Sequence, residues 1–95
     1  MVVGLGMVTL RLHECRSLKE KRSVVKSVIG RIRNQFNASV AEISDNDIYQ
    51  RARIGLALVG NDRALINSKL DKIFNMVAEM GVADVVDTEM EIMNL

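Results

Sequence analysis

Between Leu12 and Leu18 the recurrence of apolar residues changes from every second position to every third or fourth, and the period switches three more times before the chain ends. In "VVGLGMVTLRLH", Val8, Leu10 and Leu12 alternate with Thr9, Arg11 and His13, which predicts a strand half-buried in its C-terminal half. Further back both alternations are apolar or glycine, as in a central strand. Ser17 then opens S-L-K-E with Glu20 three residues on, a capping box in which each side chain satisfies a free amide at a helix start. The helix is expected from about Leu18 to Phe36.

"SVAEIS", from Ser39 to Ser44, predicts a short strand, followed by the polar loop "DNDIYQRA". "RIGLALVG" sets Ile54, Leu56 and Leu58 on one side and Gly55, Ala57 and Val59 on the other, a third strand. Asn61 or Asp62 caps a second helix whose stripe is Ile66, Leu70, Ile73, Val77 and Met80, and Gly81 ends it in a left-handed conformation. In "VVDTEMEIMNL", Val86, Thr88, Met90 and Ile92 alternate with Asp87, Glu89 and Glu91, giving a last strand with one acidic face.

The order strand, helix, strand, strand, helix, strand is that of the α+β ferredoxin-like βαββαβ plait. Right-handed crossovers put both helices on one face of a four-stranded antiparallel sheet, with the first and third strands central. The 95 residues fit one such domain, spanning 1–95, with a core that needs no metal or disulfide. That core is aliphatic, since Phe36, Tyr49 and Phe74 are the aromatic residues and tryptophan is absent. The face away from the helices should present Thr9, Arg11, Arg53, Gly55 and Ala57 beside Asp87, Glu89 and Glu91, a charged surface of small residues.

With a formal net charge of +1, any attraction to polyanions must come from the distribution of charge. It is uneven in "HECRSLKEKRSVVKSVIGRIRNQF". At roughly 100° per residue Leu18, Val25, Ile29, Ile32 and Phe36 form the buried stripe, and Lys19, Arg22, Lys26 and Arg33 cluster within about 60° of arc on one flank. Arg16 extends this ridge from the preceding turn. Lys21 falls inside the apolar stripe, so it either snorkels past the sheet to water or points at a ligand. Two readings follow. One is a solvated helix face, which is ordinarily charged. The other is a set of phosphate contacts from Arg16, Lys19, Lys21, Arg22, Lys26 and Arg33 to structured RNA. The second gains from the scarcity of acids along the ridge, where a solvated face usually mixes signs at i and i+4.

Other chemistries find little to stand on. Cys15 is the single cysteine, which excludes an internal disulfide and a multi-cysteine metal site and fits a reducing, cytoplasmic setting. His13 and Cys15 share one side of a strand end without a third ligand, so a structural placement is expected and no metal or cofactor is assigned. "DNDIYQ" begins like a calcium loop but lacks its glycine and terminal glutamate. No P-loop or dinucleotide glycine pattern occurs, and "HECRSLK" lacks the glycines of an acylphosphatase phosphate loop. The central strands offer no aromatic residue to stack a base. An enzyme acting on a small phosphorylated metabolite is the weakest class, because no base or nucleophile has an evident activator and no small-molecule substrate is indicated. The N-terminal apolar run is too short and too soon charged for a signal peptide or membrane span.

A third class is an interaction module. Arg11, Arg53, Gly55, Ala57, Glu89 and Glu91 lie on the face that the helices leave uncovered, where small residues permit close approach and mixed charges can be self-complementary across a twofold axis. A homodimer through that face or an edge strand is the expectation.

The segments "SLKEKRSVVKSV", "FNASVAEISDND" and "YQRARIGLALVGND" resemble the bacterial YlxP-like family, small cytoplasmic proteins of uncharacterised role, over nearly the whole chain. The family's signature falls on Ser17, Leu18, Lys19, Lys21, Arg22, Phe36, Asn37, Val40, Ala41 and Glu42. Where the family commonly has Trp in the loop after the second strand, this chain has Tyr49. The resemblance implies a ferredoxin-like fold. Family genes tend to lie among those for translation initiation and ribosome-binding factor A, which implies work around ribosome assembly or translation; joined to the basic ridge, the expectation is a non-enzymatic factor that touches ribosomal RNA or a ribosomal particle.

Overall fold

A computed structural model describes residues 1–45 and 48–95. Strand β1 (Val2–Arg11) leads into helix α1 (Leu18–Gln35), then β2 (Ser39–Ser44), β3 (Arg51–Gly60), α2 (Arg63–Glu79) and β4 (Asp84–Asn94). The strands form one antiparallel sheet in the order β2-β3-β1-β4. The fold is ferredoxin-like, with β1 and β3 central and both helices on one face. The calcium-loop reading of "DNDIYQ" involves Asn46 and Asp47, which lie outside the described residues.

The helix ends form where the side chains demand. Ser17 Oγ accepts from the Glu20 amide at 3.2 Å, and Glu20 Oε2 accepts from the Arg16 amide at 2.7 Å. The capping box therefore closes one residue earlier than its usual return contact. At α2 it is Asp62 that caps, its Oδ1 accepting from the Leu65 amide at 3.1 Å. Gly81 follows the C-cap with φ of 70°, a backbone that a Cβ would strain.

The core lies between sheet and helices. Val8 and Leu10 of β1, with Ile54, Leu56 and Leu58 of β3, meet Val25, Val28 and Ile32 of α1 and Ile66, Leu70, Ile73 and Val77 of α2. Helix α1 packs on the β2 side and α2 over β1 and β4. Gly4 and Gly6 let α2 approach β1 closely. A Cβ at Gly4 would overlap Ile66 Cγ2 and sit 3.2 Å from Leu70 Cδ1.

Two register shifts re-aim side chains. Thr9 is opposite Asp87 but Leu10 is opposite Val85, so Val86 is an extra residue in β4. Val85 takes the inward place against the core, and Val86 is half exposed instead of continuing the alternation expected of it. In β2, Glu42 is opposite Ile54 and Ser44 opposite Arg53, which makes Ile43 the extra residue there.

Candidate functional site

Helix α1 turns its buried line of Lys21, Val25, Val28 and Ile32 to the sheet. On one flank of that line Lys19, Arg22, Lys26 and Arg33 are exposed, and Arg16 joins them from the turn before. From Lys19 to Arg33 the row is about 21 Å long at 1.5 Å per residue. Ser23, Ser27 and Asn34, on the outermost line beside it, are uncharged and exposed. Among the described residues no carboxylate forms an ion pair with Arg16, Lys19, Arg22, Lys26 or Arg33. Arg33 is the one with a structural duty, since its Nη2 donates to the Val40 carbonyl of β2 at 2.9 Å. That contact places the cationic flank along the β2 side of the molecule.

Lys21 does not belong to this set. It is 1% exposed, with its ammonium 2.9 Å from Glu42 Oε2 and donating to the Asp45 carbonyl. Among the described residues Glu42 Oε2 accepts no hydrogen bond, so its contact with Lys21 is an ion pair. Neither expectation for Lys21 holds, because the chain supplies its own counter-ion. Glu42 was missed as that partner although the signal was present: it is two residues from Val40 and shares its inward face.

The opposite face of the sheet differs from the expected charged surface of small residues. Leu5, Met7, Ile43, Gly55 and Ala57 line a shallow trough of about 500 Å³, with Glu89 and Glu91 on its β4 rim. Leu5 is 37% exposed and Ile43 49%. Gly55 does not provide open space, because Ile43 Cγ2 lies 2.8 Å from where its Cβ would stand. Arg53 Nη2 leans across to Met7 Sδ at 3.0 Å. Among the described residues Arg11 and Arg53 form no ion pair with Asp87, Glu89 or Glu91. His13 pairs with Asp84, and Arg51 Nε lies 2.9 Å from Asp45 Oδ2. Cys15 is buried and its Sγ donates to the Ser17 carbonyl at 3.4 Å, so His13 and Cys15 turn to separate partners.

No group of three His, Cys, Asp or Glu side chains that could hold a metal ion occurs among the described residues. Among the described residues no helix is long and apolar enough to cross a membrane.

The family model described as "Protein of unknown function (DUF503)" matches residues 3–90. The chain belongs to the DUF503 family. A curated relative, the uncharacterized protein YlxP of Bacillus subtilis, is 32% identical over 76 residues, covering 80% of this chain and 83% of that protein. The DUF503 match spans the basic flank of α1, the Lys21–Glu42 pair and the open trough apart from Glu91. In shape the chain is similar to the de novo designed protein Foldit4, with a TM-score of 0.61 at 11% identity, covering 99% of this chain and 97% of that one. A protein from Arabidopsis thaliana, At3g17210, aligns with a TM-score of 0.49 at 10% identity, covering 98% and 94% of the two chains. The likeness to Foldit4 describes the fold alone.

Proposed function

We propose that this chain is a cytoplasmic RNA-associated factor without a catalytic step, which docks the α1 flank onto the phosphates of structured ribosomal RNA. The observation that carries the reading is the row Lys19, Arg22, Lys26 and Arg33, with Arg16 at its head, left without a carboxylate partner inside the described chain. Four like charges held side by side on one helix repel one another. A polyanion relieves that repulsion and releases its own counter-ions. The contacts are to backbone phosphates, so recognition is by RNA shape; Leu5, Met7 and Thr9 on β1 and Gly55 and Ala57 on β3 give a base nothing aromatic to stack on. The gene neighbourhood implied by the YlxP-like resemblance supports ribosomal RNA as the class.

The test is binding of ribosomal RNA and of ribosomal particles by the wild type and by Arg22→Glu/Lys26→Glu, across a salt series. The proposal expects strong, salt-sensitive binding by the wild type and its loss in the double variant. Equal affinity of the two proteins would refute it.

A further inference from the structure

The register of the sheet gives its open face a particular symmetry. Thr9 lies opposite Arg53 on β3 and Asp87 on β4; Met7 lies opposite Gly55 and Glu89; Leu5 lies opposite Ala57 and Glu91. Residues directly opposite in an antiparallel pair point to the same face. β1 is therefore a centre line, with a cation and two small residues one strand spacing to one side and three carboxylates the same distance to the other. Half a turn about an axis parallel to β1 and above it exchanges the two sides. The rotated copy places its Asp87 above Arg53, its Glu89 beside the Ile43 side chain that covers Gly55, and its Glu91 above Ala57, while Leu5 and Met7 meet their own counterparts.

We propose that this face binds a second copy of the chain, sheet against sheet about a twofold axis parallel to β1, with two Arg53–Asp87 pairs flanking a Leu5 and Met7 centre. Within one chain Arg53 and Asp87 are two strand spacings apart, about 10 Å, and do not pair. Across stacked sheets, also about 10 Å apart, a long guanidinium stem and a carboxylate meet in the middle. Leu5 and Met7, each against its own counterpart on the axis, supply the apolar burial. Among the described residues neither member forms an ion pair, Arg53 making only the weak contact to Met7 Sδ, whereas Arg51 and Asp84 at the same end of the sheet are already held by Asp45 and His13.

Other occupants fit less well. Asp87, Glu89 and Glu91 along one rim repel phosphates and anionic lipid alike. Self-pairing through the edge of β4 would set rows of carboxylates opposite one another, and on the other edge Arg33 occupies the Val40 carbonyl of β2. The proposal is independent of RNA binding, since the α1 flank lies on the other layer.

The experiment is sedimentation equilibrium of the full chain with Arg53→Glu, with Asp87→Arg, and with both in one chain, each checked for native circular dichroism. The wild type is expected to be dimeric at roughly 100 µM. Each single variant is expected to raise the dimer dissociation constant at least about tenfold, because like charges then face each other twice. The double variant restores opposite charges across the axis and is expected to recover wild-type dimerisation. A wild type that stays monomeric at that concentration overturns the proposal. So does a dimer indifferent to both single variants, or a folded double variant no tighter than the singles.

Discussion

The Lys21 ammonium sits 2.9 Å from Glu42 Oε2, a cation from the basic stretch of α1 turned inward against the carboxylate that β2 presents to the helices. Its side chain is 2% exposed and that of Glu42 20%. A charge so placed depends on its partner, because its desolvation is offset only by the pair and by the Asp45 carbonyl.

Glu42→Gln leaves the buried ammonium with one neutral acceptor in place of a charge, and should lower stability by about 3 kcal/mol. Lys21→Met should cost less, about 1–2 kcal/mol, since Glu42 can turn to water. Lys21→Met with Glu42→Leu should recover most of either loss, as apolar replacement of a buried pair commonly does. Urea unfolding of the four proteins checks this. Lys21→Met should leave RNA affinity unchanged, which separates it from its exposed neighbours.

Gly4→Ala should destabilise by about 2 kcal/mol, because the added methyl overlaps Ile66 and must push α2 off β1. The loss should appear in thermal unfolding, with dimerisation and RNA binding kept at temperatures where the variant is folded.

Ser17→Ala removes the acceptor for the Glu20 amide and should cost about 1 kcal/mol. Asp62→Ala should cost a similar amount at α2. Chemical denaturation reads both.

The strand and helix order and the Ser17 cap were legible because each rests on local signals, a change of period or a capping side chain; the α2 cap was narrowed to Asn61 or Asp62, and the central placement of β1 and β3 followed from the topology that the element order selects. Val86 and Ile43 were not, because a one-residue bulge is set by pairing between strands and leaves no trace in the alternation of one strand. Ile43 consequently fills the space above Gly55 that the sequence offered as room for a partner. The helical wheel put Lys21 in the buried stripe, and Val40 and Glu42 share a strand face. Their meeting still needed the distance between α1 and β2, a tertiary quantity. The flank of Lys19, Arg22, Lys26 and Arg33 needed only helical spacing, so it was readable from sequence.

That flank is the basis of the functional account, and the slope of log affinity against log salt for ribosomal RNA tests it most directly. Arg22→Glu/Lys26→Glu should flatten the slope by about 1.4–1.8, two phosphate contacts' worth, and weaken binding sharply at low salt, with the melting temperature nearly unchanged. A double variant that binds ribosomal RNA with wild-type affinity and wild-type salt slope would contradict it.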